Sequence, residues 1–119
     1  MDATRVQSIV PVWTYVCRAD ELSDGLGVCA LIGRWQAAVF RMPSDGLYYA
    51  IDNHDPFSGA NVLSRGIVGD LQGQPVVASP IYKQHFNLET GQCLEDASVK
   101  LDTFPVRVID GMLLIRKPI

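Results

Sequence analysis

Apolar and polar positions alternate in short runs along this chain, with almost no stretch at the three-to-four spacing of an amphipathic helix. Val10 to Cys17 carries Val12, Trp13, Tyr15 and Val16, a strand-like composition. Ala19 to Ser23 predicts one helical turn, broken by Asp24-Gly25. Gly27 to Ile32 and Trp35 to Met42 are β-rich and separated by Gly33-Arg34, and a two-residue loop with glycine first suits a type II′ hairpin. Pro43 to Gly46 is a turn by composition, and Leu47 to Ile51 returns as a strand. Val76 to Ala78 and Lys83 to Leu88 are expected as short strands, followed by a turn at Glu89 to Gln92. Val106 to Ile109 and Met112 to Arg116 form a hairpin across Asp110-Gly111, the dipeptide favoured by type I′ turns. The first eight residues are expected to be loose. The sum is an all-β sandwich or partly open barrel of short antiparallel strands, in one domain over residues 1–119.

Composition narrows the function classes. Apolar residues make up 48% of the chain and charged residues 19%, an ordinary globular balance that argues against long disorder. A formal charge of −3 leaves no basic field for nucleic acid. No apolar run approaches the roughly 20 residues of a membrane helix, and the start MDATRVQSIV lacks the basic-then-apolar layout of a signal peptide, so a cytoplasmic protein is expected. Cys17, Cys29 and Cys93 are widely spaced without C-x-x-C, and each is expected as a small buried thiol rather than a ligand.

The stretch from Asp52 to Gly91 is explained by neither periodicity nor hydrophobicity. It contains the loop Asp55-Pro56-Phe57-Ser58-Gly59-Ala60, the segment Leu63-Ser64-Arg65-Gly66, the loop Ser79-Pro80-Ile81-Tyr82 and the tail Phe86-Asn87-Leu88-Glu89-Thr90-Gly91. This frame resembles a Rieske-type domain, in which a C-P-H-x-G-A loop and a C-P-x-H-G loop, followed by F-D-L-x-T-G, hold an iron–sulfur cluster through two cysteines and two histidines. The cysteines of that pattern fall on Asp55 and Ser79, and the histidines on Phe57 and Tyr82. Pro56, Gly59, Ala60, Pro80, Phe86, Leu88, Thr90 and Gly91 keep the scaffold, with Asn87 in the Asp place. A phenylalanine ring has no lone pair to offer iron, and carboxylate, hydroxyl and phenol are hard oxygen groups where a sulfide-bridged pair takes soft sulfur. No cluster is therefore expected.

The span from DPFSGANVLSRGIVGD to VVASPIYKQHFNLETGQCL is similar to the small subunit of the assimilatory NAD(P)H-dependent nitrite reductase, a Rieske-like family without cluster ligands. The resemblance runs from about Trp13 to about Arg116 and is most specific in the central span. It implies a non-catalytic partner of a large subunit that carries flavin, iron–sulfur cluster and sirohaem, with no cofactor or metal in this chain. An electron-carrying Rieske ferredoxin with a [2Fe–2S] cluster is the alternative. Gly66 to Gln74 is expected as an exposed inserted loop, longer than the cluster-binding pattern uses.

Other chemistry is weakly supported. His54 and His85 with Asp52 or Asp55 could be drawn as a two-His-one-carboxylate site, but no spacing brings them together, and exposed loop histidines are the simpler expectation. Ser58, Ser64 and Ser79 have no G-x-S-x-G context, so no catalytic residue is assigned. The glycines of Gly66 to Asp70 and of Gly25 to Gly27 precede no convincing helix, as a phosphate loop would require. Arg65, Lys83, Phe57 and Tyr82 are the candidate partner interface, with Phe57 and Tyr82 expected to fill the space between the two loops.

Overall fold

The computed structural model describes residues 12–118. The expected loose start, and Val10 at the head of the first expected strand, lie outside them. The chain order is β1 (Thr14–Arg18), β2 (Val28–Ile32), β3 (Trp35–Arg41), β4 (Tyr48–Asp52), β5 (Ile67–Leu71), β6 (Gln74–Ala78), β7 (His85–Asn87), β8 (Val106–Ile109) and β9 (Met112–Ile115). Single 3₁₀ turns cover Ala19–Glu21, where a helical turn was expected, and Leu63–Arg65, which the residue pattern did not signal. Three open antiparallel sheets result, with strand orders β1-β9-β8, β2-β3-β4 and β5-β6-β7.

The strand β3 is the centre of packing, and Ala37, Ala38, Val39 and Phe40 are all 0% exposed. Alternation along a strand sends successive side chains to opposite faces. Ala37 and Val39 pack with Phe104, Leu113 and Ile115 on one side, while Ala38 and Phe40 pack with Leu63, Val77 and Phe86 on the other. The central strand β3 is therefore covered on both faces. Alanines at 30, 37, 38 and 50 keep those layers close.

Turn chemistry sets the hairpins. Gly33 has φ +62 in the β2–β3 connection and alone takes a positive value there, as a type II′ turn needs. Asp110 and Gly111 have φ +51 and +77, the paired positive values of type I′, between β8 and β9. The segment Gly66 to Gln74 corrects the sequence reading. It is no inserted loop, because Ile67 to Leu71 pair with Ala78 to Gln74 across a tight turn at Gln72-Gly73, with φ +54 and +83. Asn or Asp before Gly is the usual signal for that turn, and Gln72 conceals it. The Asp70 carboxylate accepts the Gly73 N–H at 2.7 Å and helps hold it closed.

One loop design recurs in four places. Met42–Leu47, Asp55–Ala60, Ser79–Gln84 and Asn87–Gln92 each have the N–H of the fifth residue donating to the carbonyl of the first, and the N–H of the first donating to the carbonyl of the sixth. The fifth residue takes positive φ each time: Gly46 +69, Gly59 +78, Lys83 +67 and Gly91 +83. Where the first residue has a polar side chain, that side chain also accepts the N–H of the third: Phe57 to Asp55, Ile81 to Ser79, Glu89 to Asn87. Lys83 was expected to open a strand, but it occupies the left-handed position of this loop and β7 starts only at His85.

Lys83 is the one member of the set whose Cβ disfavours that backbone. Lys83→Gly is expected to raise unfolding free energy by about 0.5–1 kcal/mol, the left-handed penalty of about 1–2 kcal/mol less the extra chain entropy of glycine. Urea denaturation of the two proteins measures it, and a loss of stability would refute the strain assignment.

Candidate functional site

The loops Asp55–Ala60 and Ser79–Gln84 are joined to each other through their first residues. Asp55 and Ser79 are both 0% exposed, and the Ser79 hydroxyl donates to Asp55 Oδ2 at 2.6 Å. The same carboxylate accepts the Ser58 hydroxyl at 3.0 Å and the Phe57 N–H at 2.9 Å. Ser79 Oγ in turn accepts the Ile81 N–H at 3.3 Å. Burial alone opposes ionisation of Asp55, but the hydrogen bonds from Ser79, the Phe57 N–H and Ser58 outweigh it, and its pKa lies below the ordinary carboxylate value. Among the described residues Asp55 has no cationic partner, and its buried charge is tolerated because its lone pairs are met by hydrogen bonds.

The aromatic side chains part company. Phe57 is half-buried and turned inward, its ring 6.2 Å from that of Phe86 at a 44° tilt. Tyr82 is 60% exposed and Ile81 is 43% exposed. The expectation that Phe57 and Tyr82 together fill the space between the loops is thus corrected for Tyr82. The first residues of the two loops are instead joined directly by the hydrogen bond between Asp55 and Ser79.

The four positions do not fit a [2Fe–2S] cluster. Asp55 Oδ2 and Ser79 Oγ, at the two positions that in the Rieske pattern ligate the same iron, are 2.6 Å apart and hydrogen-bonded, closer than two ligands of one tetrahedral iron stand. Phe57 offers no lone pair, and the phenol of Tyr82 points to solvent. The donor set is oxygen-only and already saturated by hydrogen bonds at Asp55.

The sequence pattern of the Rieske-like [2Fe-2S] domain matches residues 12–116. The NADH nitrite reductase small subunit of Salmonella typhimurium is 43% identical over 104 residues, covering 87% of this chain and 96% of that protein. This chain belongs to the Rieske-like nitrite reductase small-subunit family. The structure of the Escherichia coli protein NirD superposes with a TM-score of 0.83 at 40% identity, over 91% of this chain and 98% of that one. The nitrite reductase [NAD(P)H] large subunit of Klebsiella oxytoca contains a segment 38% identical to 87% of this chain, spanning 11% of its own length. The fold, all-β with open antiparallel sheets, is that of the family.

The remaining candidates stay apart. His54 is exposed and its Nδ1 lies 2.9 Å from Asn61 Oδ1, while His85 is on β7, half-buried, with Nδ1 2.7 Å from Glu95 Oε2. His85 is therefore no exposed loop residue, and among the described residues no group of three or more His, Cys, Asp or Glu could hold a metal. Ser64 donates its N–H to Asn53 Oδ1 at 2.7 Å, and neither it nor Ser58 is hydrogen-bonded to a histidine. Of the cysteines only Cys93 is buried, with Cys17 intermediate and Cys29 exposed beside Gln36 and Asn53. Sequence reasoning missed Asn53, 2% exposed, which braces the start of the 3₁₀ turn through Ser64 and the Asn61 carbonyl. It also missed Ile81. Arg65 and Lys83 are exposed, as a partner surface requires.

Two expectations follow for the loop pair. Asp55→Asn should cost about 1–3 kcal/mol, since an amide leaves one of the buried donors facing an N–H₂ group. Because the folded pKa is depressed, the stabilisation from Asp55 is present above the ordinary carboxylate pKa and is lost as pH falls through the folded value. The difference between the two proteins should therefore shrink in acid, as denaturation at several pH values would register. Phe57→Ala should cost about 1–2 kcal/mol, less than the roughly 3–5 kcal/mol of a fully buried ring, because the side chain is only half-buried.

Proposed function

We propose that this chain is a non-catalytic small subunit of a cytoplasmic NAD(P)H-dependent nitrite reductase, which reduces nitrite to ammonia in nitrate assimilation. It serves as a structural and interaction partner of a large subunit bearing flavin, iron–sulfur cluster and sirohaem. The observation that carries this reading is the hydrogen bond between Asp55 and Ser79, which occupies the place where a Rieske domain would ligate iron. Without a cluster, the chain has no visible means to store or pass the electrons that nitrite reduction consumes. Its likeness to a segment of the Klebsiella large subunit supports a partner of that kind. The rival reading, a Rieske-type ferredoxin, needs two thiolates and two imidazoles at positions that hold Asp55, Ser79, Phe57 and Tyr82.

The purified chain is expected to be colourless, with neither iron nor acid-labile sulfide, and inert toward nitrite and reduced nicotinamide. Nitrite-dependent oxidation of NADH or NADPH should appear only with the large subunit present. Visible absorption, iron and sulfide analysis and a reconstituted assay test this. Stoichiometric iron and sulfide would establish the ferredoxin reading instead.

A further inference from the structure

Among the described residues exposed apolar side chains occur singly and in small groups, Ile109 and Met112 being one cross-strand pair, and another group lies around the second loop. Ile81 and Tyr82 are consecutive and 43% and 60% exposed. Their loop springs from the end of the β6–β7 hairpin, where Ala78 pairs with His85, and Ile67, 70% exposed, pairs with the same Ala78 from β5. Arg65 is brought to the same end by Gly66, whose backbone lies so close to Ala78 that an added Cβ would stand 2.4 Å from the Ala78 carbonyl oxygen. Lys83 follows Tyr82 directly. Two exposed cations thus flank an apolar knob on a chain whose overall charge is −3.

We infer that this knob is the surface by which the chain docks on the large subunit of the nitrite reductase, and that Tyr82 is its anchor. The inference rests on the function proposed above. Its complement is an apolar recess rimmed by carboxylates, since among the described residues Arg65 and Lys83 form no ion pair. The segment like this chain inside the Klebsiella large subunit places such a domain and the rest of that enzyme in one polypeptide, which favours the large subunit as occupant. A second copy of this chain is a poorer fit. In a two-fold dimer through the knob, Arg65 and Lys83 would face their own images, and like charges brought together oppose association. The loop is also set in advance: the Ser79–Asp55 hydrogen bond and the closing bonds from Ser79 N–H to Gln84 and from Lys83 N–H to Ser79 hold it without a partner. Ordering it costs little on binding, so a projecting tyrosine can act at full strength.

The test titrates the purified, cofactor-loaded large subunit with the full chain and four variants: Tyr82→Ala, Ile81→Ser, Arg65→Glu and, as a distant control, Leu31→Ser on β2, where Leu31 is 68% exposed. Tyr82→Ala and Ile81→Ser are expected to weaken binding about tenfold or more, with unchanged melting temperature because both side chains are exposed. Arg65→Glu should weaken binding and flatten its decline with added salt. Leu31→Ser should bind like the natural chain. Knob variants that bind normally, or a loss confined to Leu31→Ser, would overturn the inference and leave the subunit function standing. No binding by the natural chain would overturn both. Sedimentation showing a dimer that Tyr82→Ala dissolves would assign the knob to a second copy and refute the large-subunit docking.

Discussion

Four consecutive residues of β3 without solvent on either face are the constraint on which this structure depends. A strand with only one covered face needs a single packing layer, but Ala37 to Phe40 demand two. The β1-β9-β8 sheet supplies one through Leu113 and Ile115, and the β5-β6-β7 sheet supplies the other through Val77 and Phe86. The first ties the two ends of the described chain together, and the second carries the Ser79 loop. Because β4 pairs with β3 and leads into the Asp55 loop, the same packing brings both loops to one place.

What those loops do there follows from one carboxylate. Asp55 is cut off from water, and among the described residues no cation pairs with it, so its charge is sustained by hydroxyls from both loops and the Phe57 N–H. In a Rieske domain metal–ligand bonds join the equivalent loops. Here a hydrogen bond of 2.6 Å does so, between the two positions where cysteines would stand. Such a junction carries no redox state, which supports the proposed role as an interaction partner.

Phe57 and Tyr82 diverge at the same junction. Asp55 and Ser79 are in contact between the loops, and of the two rings only Phe57 lies against the core, on Phe86. The other is left at the surface beside Ile81, held by a loop whose fifth residue is forced into the left-handed region without the glycine that relieves it elsewhere. Backbone strain of this kind persists where surrounding hydrogen bonds over-determine the conformation.

The sequence by itself determined the architecture and the loss of iron ligands. The β-rich composition of the run Trp35 to Met42, with Gly33-Arg34 and Asp110-Gly111 between strands, is local chemistry that acts before any long-range contact forms, and it was legible for that reason. The oxygen and phenyl groups at residues 55, 57, 79 and 82 speak through their lone pairs alone. Sequence could not reveal the hairpin at Gln72-Gly73, because Gln72 adopts a conformation its side chain does not favour and only pairing of Ile67 to Leu71 with β6 compensates for it. Nor could it say that His85 would be half-buried against Glu95, ten positions further on and brought back by the Asn87–Gln92 turn. The contact between Asp55 and Ser79 joins residues 24 positions apart, and Tyr82 is left exposed on the loop that Ser79 opens. Both were decided by tertiary structure, since the free energy of a buried charge depends on which donors the fold delivers to it.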